Sequence, residues 1–255
     1  MGSVRIRRRS DRRRTHADDL PQSAAWPAKR LPRKETPLST RSDASFPSIV
    51  VIVAELGPSL TADEALARLQ EGNERFVAGK AKFPTVQKDV LAELAKGQRP
   101  YATIIGCSDS RVPPELVFDA SFGELFIVRV AGNVISPEVM GSIQYAAVHL
   151  RTQLFVVLGH EGCGAVQAAL ASLREGARER SRIALLLDRI APGLASVDAS
   201  LPSDAQVAAG VEANVRWSMH QLLDTAEGRA RVEEGILRLV GGVYELTTGR
   251  VRFLT

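Results

Sequence analysis

The chain is short of cysteine, of long apolar runs and, outside one end, of excess positive charge. Two cysteines among 255 residues cannot make a disulfide framework. With histidine available they point to metal or redox chemistry in a reducing compartment, and so to the cytoplasm. No apolar run approaches the ~20 residues that a membrane-spanning helix needs, so no membrane partner is expected. The formal charge of +4 is carried by one end: residues 1–45 hold 12 Lys/Arg against 5 Asp/Glu, and the remaining 210 hold 21 against 24. The body therefore gives no reason to expect a nucleic-acid partner, and only the basic tail leaves room for a non-specific contact.

What is present begins after that tail. Residues 1–46, rich in Arg, Ser and Pro, lack hydrophobic period and are expected to be a disordered extension. As an export signal they fail, because Ile49–Ala54 is too short for the apolar stretch required; as a transit peptide they carry too much acid at Asp11, Asp18 and Asp19. Residues 47–255 are read as one domain. Thr61-Ala62-Asp63-Glu64 is a capping box opening a helix to about Gly79. A second helix is expected over 85–95, and strands over 101–106, 125–130, 154–159 and 235–246, with a closing strand over 250–254. Ser136-Pro137 starts one helix between them, Gly162 another, and a long helix is expected from Asp204 to about Ala226. Trp217 and His220 on that helix are expected to pack. Strands separated by helices imply an α/β fold: a mainly parallel four-stranded sheet with flanking helices and a short antiparallel C-terminal edge strand.

The chemistry gathers where two of these strands stop. Cys107-Ser108-Asp109-Ser110-Arg111 follows the strand at 101–106, and His160-Glu161-Gly162-Cys163 follows the strand at 154–159. Ligand sites in open parallel sheets lie beyond the carboxyl ends of the strands, so these segments can meet. Two thiolates and an imidazole suit Zn²⁺, and three protein ligands leave one position open, as in catalytic sites. Each cysteine alone could be a small buried hydrophobe. A Cys107–Cys163 disulfide is another alternative, but it would leave His160 and Asp109 without a role; a dithiol redox centre usually has both cysteines within one short motif, which this chain lacks.

The two-part motif, Cys107-x-Asp109-x-Arg111 with His160-x-x-Cys163-Gly164, resembles the signature of the β-class carbonic anhydrases. The likeness runs from about Leu60 to Leu254 and takes in Glu71-Gly72-Asn73-x-x-Phe76, Gly123-Glu124-x-Phe126-x-x-Arg129 and Gly241-x-Val243-Tyr244. It implies a lyase that hydrates CO₂ reversibly to bicarbonate and a proton by attack of zinc-bound hydroxide. Cys107, His160 and Cys163 would hold one Zn²⁺ per subunit. Asp109 would orient the hydroxide while Arg111 restrains it, and in a closed form Asp109 would itself become a metal ligand. Two thiolate ligands should make the bound water less acidic than three imidazoles would, so activity is expected to rise above neutral pH.

The resemblance further implies that Gln98, Phe126, Tyr145 and Gly164 contact substrate, Gln98 from across a subunit boundary in a homodimer or homotetramer whose N-terminal helices embrace the partner. Ala131 replaces a larger aliphatic residue of some members and suggests a roomier pocket. Ile104 stands where some bacterial members carry the tryptophan of an inhibitory bicarbonate site, so Arg129 is not expected to serve one. The alternatives are hydrolysis of carbonyl sulfide or carbon disulfide at the same site, or a zinc-binding module without turnover.

Overall fold

A computed structural model describes residues 60–82, 88–176, 179–180 and 182–254. The basic tail, its expected boundary near residue 46 and the Ile49–Ala54 segment lie outside these residues, as does the expected start of the second helix.

The described residues build one sheet. Its strands are β1 (Ala102–Gly106), β2 (Leu125–Arg129), β3 (Leu154–His160), β4 (Arg238–Tyr244) and β5 (Val251–Leu254), in the order β2-β1-β3-β4-β5. The first four run parallel and β5 closes the edge antiparallel to β4, which is the architecture expected of the sequence. β1 and β3 are buried along their whole length, because helices cover both faces of a parallel sheet and their residues therefore need not alternate with polar ones.

One face carries Ile105, Phe155 and Val157 under α4 (Pro137–Tyr145), α5 (Gly164–Glu175), α6 (Arg182–Ile190) and α7 (Ser203–Leu223). The other carries Ile104, Val156 and Leu158 under α1 (Ala62–Val77) and α3 (Pro114–Val117). Two glycines let helices approach. A Cβ on Gly159 would meet Val215 of α7 at 2.6 Å, and one on Gly72 of α1 would lie 1.9 Å from the Phe118 carbonyl oxygen.

α1 opens as expected: Thr61 Oγ1 accepts the Glu64 N–H while the Glu64 carboxylate receives the Thr61 N–H. Its buried Asn73 then ties distant segments together. The Asn73 amide donates to the carbonyls of Val117 (3.1 Å) and Gly249 (2.8 Å) and accepts the Val251 N–H (2.8 Å). The Glu71-Gly72-Asn73 segment is thus a close contact plus a three-way hydrogen bond joining α1, the end of α3 and the β4–β5 turn.

The fold differs from expectation in several places. The long helix stops at Leu223 rather than Ala226, because Thr225 caps a new helix, α8 (Ala226–Glu233), by accepting the Gly228 N–H at 3.0 Å. Gly235, with φ of 70°, ends α8, so β4 starts at Arg238 instead of Gly235. α6 and α3 had no counterpart in the sequence reading. The helix begun at Pro137 relaxes into a π turn over Ala146–Leu150 and stops at left-handed Arg151. On α7, Trp217 packs as expected, with Nε1 donating to the Arg189 carbonyl, whereas His220 is exposed and stacks on Trp217.

Candidate metal centre

Adjacent strands bring the two motifs together. Gly106 pairs with Leu158, so β1 and β3 end side by side at the carboxyl edge of the sheet. Cys107 is the first residue past β1, His160 the last of β3, and Cys163 the residue before α5. Gly162, at φ of 61°, makes the tight turn that returns Cys163 toward His160. All three are buried, and their ligand atoms lie within 4.8 Å of one another.

The imidazole tests the fit of a metal. His160 Nδ1 lies 3.0 Å from the Glu161 carbonyl oxygen, an acceptor only, so the ring proton sits on Nδ1. Nε2 then presents a lone pair, and it is fully buried with no hydrogen-bond partner among the described residues. A buried acceptor without a donor is costly, whereas a cation would satisfy it in the arrangement common to metal-binding histidines. The acceptor for Nδ1 is itself fixed. The Glu161 N–H donates to the Tyr244 carbonyl (2.8 Å), and its carboxylate accepts the N–H and hydroxyl of Thr247 (3.1 and 3.3 Å).

The cysteines are free thiols, so the disulfide alternative is not realised. The two sulfurs lie within 4.8 Å of each other, and the Gly132 N–H donates to the Cys107 sulfur at 3.3 Å. The adjacent Cys163 thiol, with the Gly132 N–H, pulls Cys107 well below the ordinary thiol range, while the Cys107 sulfur and burial push Cys163 up. A pair that shares one proton beside a buried lone pair is a soft, partly anionic donor set, suited to Zn²⁺.

Asp109 and Arg111 form the expected pair. Arg111 Nε and Nη2 donate to the two carboxylate oxygens at 2.9 and 2.7 Å, and the Arg111 N–H adds a third bond at 3.0 Å. The guanidinium first, then the backbone bond, hold the Asp109 carboxyl far below the usual carboxylate range. Oδ2 nevertheless lies 3.9 Å from His160 Nε2, at the border of the ligand cluster. The backbone of this loop is held by Arg129 at the end of β2. Its Nε donates to the Cys107 carbonyl (2.8 Å) and its Nη2 to the Asp109 carbonyl (2.6 Å). Neither this role nor the Gly132 N–H was read from the sequence. The only cue was that Arg129 precedes, and Gly132 lies in, a glycine turn at the end of the neighbouring strand.

The remaining expected residues are more dispersed. Gly164 begins α5 beside Cys163. Phe126 packs on the core that contains Cys107 and Cys163, and its ring lies 6.2 Å from that of Tyr145, which is 38% exposed. Gln98 is exposed between α2 (Lys88–Leu94) and β1. Ile104 faces the α1 side of the sheet and Arg129 is engaged with two carbonyls.

A family model described as carbonic anhydrase matches residues 102–251. A protein named Carbonic anhydrase 2 from Mycobacterium tuberculosis is 41% identical over 195 residues, covering 76% of this chain and 93% of its own. A carbonic anhydrase from Mycolicibacterium smegmatis is 39% identical over 191 residues, covering 72% and 88%. Among solved structures, the β-carbonic anhydrase CafA of Aspergillus fumigatus is 30% identical with a TM-score of 0.58, over 75% of this chain and 89% of that one. A tetrameric β-carbonic anhydrase of Sordaria macrospora is 26% identical with a TM-score of 0.60, over 72% and 93%.

Proposed function

The chain belongs to the β-carbonic anhydrase family, and from that premise we propose that Cys107, His160 and Cys163 hold one Zn²⁺ per subunit for the reversible hydration of CO₂ to bicarbonate and a proton. The observation that carries this reading is the buried, unpartnered Nε2 of His160 facing two sulfurs. When bound, Zn²⁺ supplies an acidified water as nucleophile toward a carbonyl-type carbon.

The chain's own residues prepare that attack. The carbonyl of Glu161 keeps the His160 proton on Nδ1 and Nε2 toward the cluster. Asp109, ionised because Arg111 holds it, is placed to accept a hydrogen bond from the attacking oxygen at Oδ2 and to direct its lone pair. Arg111 keeps that carboxylate from turning onto the ligand atoms. Arg129 fixes the backbone from which Cys107 and Asp109 project. Gln98, Phe126, Tyr145 and Gly164 complete the substrate pocket in this reading, which requires a homodimer or homotetramer because Gln98 is solvent-exposed on a single chain. A reducing cytoplasm suits thiols kept as ligands. Residues 1–46 take no part in the chemistry in this reading, and their deletion should leave turnover intact.

An intact Asp109–Arg111 pair favours turnover over zinc storage, which needs neither residue. Stopped-flow CO₂ hydration across pH, on protein of measured zinc content beside a Cys107→Ser control, tests the reading. Zinc near one per chain and a rate that rises above neutral pH are expected. Stoichiometric zinc without CO₂ hydration would reject the assignment and send the test to carbonyl sulfide. With Ile104 and an engaged Arg129, millimolar bicarbonate at fixed pH should inhibit only as a product.

A further inference from the structure

The turn that supplies the Gly132 N–H is an expensive piece of backbone. Gly132 and Asn133 both have positive φ, 68° and 44°, and only the first is a glycine. The turn is wedged so that Gly132 admits no side chain: a Cβ would lie 2.6 Å from Ile190 Cδ1 and 3.0 Å from Ala165 Cβ. Consecutive left-handed residues persist only where their surroundings hold them.

The hold comes from α7. Asn214 Nδ2 donates to the Gly132 carbonyl at 2.8 Å. One helical turn on, Ser218 Oγ donates to the Asn133 carbonyl at 3.0 Å and accepts from the Asn133 side-chain Nδ2 at 3.3 Å. Asn214 and Ser218, at i and i+4, share one helix face and are 1% and 0% exposed. Asn214 also has a cost: its Oδ1 is buried without a donor among the described residues. An apolar residue of the same shape would avoid that cost, so packing does not account for an amide here. What the amide adds is the donor to Gly132.

We propose that Asn214 and Ser218 are positioning residues that hold the Gly132 N–H on the Cys107 sulfur and thereby set how firmly that sulfur keeps the metal. The inference rests on the zinc reading of Cys107, His160 and Cys163. A peptide N–H aimed at a thiolate stabilises its charge and fixes its lone pairs, and loss of such an outer partner typically weakens metal binding about 10–100-fold.

Zinc release to a chromogenic chelator from the zinc-loaded full chain, and the visible spectrum of the cobalt-substituted protein, test this. Asn214→Leu and Ser218→Ala should each release zinc about 10-fold faster. Both should also move the sulfur-to-cobalt charge-transfer band to lower energy, because the sulfur loses a donor. Ser218→Thr, which keeps the hydroxyl, should restore both readouts. Leu222→Ala, a cavity on the same helix away from the turn, should lower the Tm and leave the release rate and the cobalt band at parental values. Folded Ser218→Ala protein with parental release and spectrum overturns the proposal, and this variant decides alone if Asn214→Leu does not fold. A parent chain that binds no zinc overturns the proposal together with the metal reading, whereas normal parental binding with unaffected variants overturns only the proposal.

Discussion

Replacing Arg129 by methionine removes the clamp on the loop that carries Cys107 and Asp109 while keeping the side-chain stem. The guanidinium donates to two loop carbonyls, at 2.8 and 2.6 Å. Hydrogen bonds from a charged donor contribute about 1.5–3 kcal/mol each. Arg129 is half-buried, so the lower end applies, giving about 3 kcal/mol for the two. In a domain of this size each kcal/mol moves the Tm by ~2–4 °C, so the expected fall is ~6–12 °C. Arg129→Lys offers a point charge that reaches one carbonyl at a time, and about half the loss should return. The functional consequence follows from position: zinc release should quicken and kcat/KM fall together, since the proposed ligand Cys107 and the carboxylate proposed to orient the attack lose a shared anchor. Thermal unfolding of the zinc-loaded protein and chelator-driven release measure the two effects. A Tm within ~2 °C of the parent with unchanged release would refute the clamp.

Asp109→Asn preserves shape and removes charge; kcat/KM should fall about 100-fold with zinc content unchanged. Arg111→Ala leaves the carboxylate, among the described residues, only the backbone N–H at 3.0 Å. Asp109 is then able to turn toward ligand atoms 3.9 Å away, so turnover should fall with zinc retained, and near-normal activity would sink the restraint. The metal-free protein at pH 7 should show one thiolate by absorbance near 240 nm. The Cys163 thiol and the Gly132 N–H lower the Cys107 value, so its charge persists below the ordinary thiol range and is lost as pH falls, while Cys163 stays protonated. Absence of thiolate absorbance at neutral pH would contradict the shared proton. Gly72→Ala puts a Cβ 1.9 Å from a backbone oxygen, so α1 or the chain after α3 must move. A loss of at least about 1–3 kcal/mol in urea unfolding is expected, and an unchanged midpoint would argue against the close approach.

The strands and their ends were legible because they obey short-range rules. An apolar run bounded by Gly106 or by Gly159-His160 marks where a buried strand stops, and chemistry at both stops implies adjacency. α6 left its own signal, Ile183, Leu186, Leu187 and Ile190 at helical spacing, but charged residues 174–182 mask its start. The break between α7 and α8 depends on whether Thr225 continues a helix or caps the next one, and the Gly228 N–H decides that only in three dimensions. The candidate ligands were legible for a related reason: thiol and imidazole are rare here and chemically distinct. Arg129 and Gly132 were not assigned their parts because they act through a guanidinium and a peptide N–H that would look the same on any strand end or glycine turn. Their meaning comes from β2 lying beside β1, with Arg129 level with Gly106.

That register also separates the work of the two arginines. Arg129 binds main-chain oxygens, so it fixes where the loop runs, whereas Arg111 binds the Asp109 carboxylate, so it fixes where one side chain points. With the Asp109 carbonyl held by Arg129, the proposed gate would need only rotation of the carboxylate's own torsions and no loop movement. Stability should therefore follow Arg129 and turnover Arg111. Arg111 is more than half exposed and its partner carries a backbone bond as well, so Arg111→Ala should leave the Tm close to the parent while lowering activity. A Tm loss in Arg111→Ala equal to that in Arg129→Met would show that opening the gate unfolds the loop, and the two roles would collapse into one.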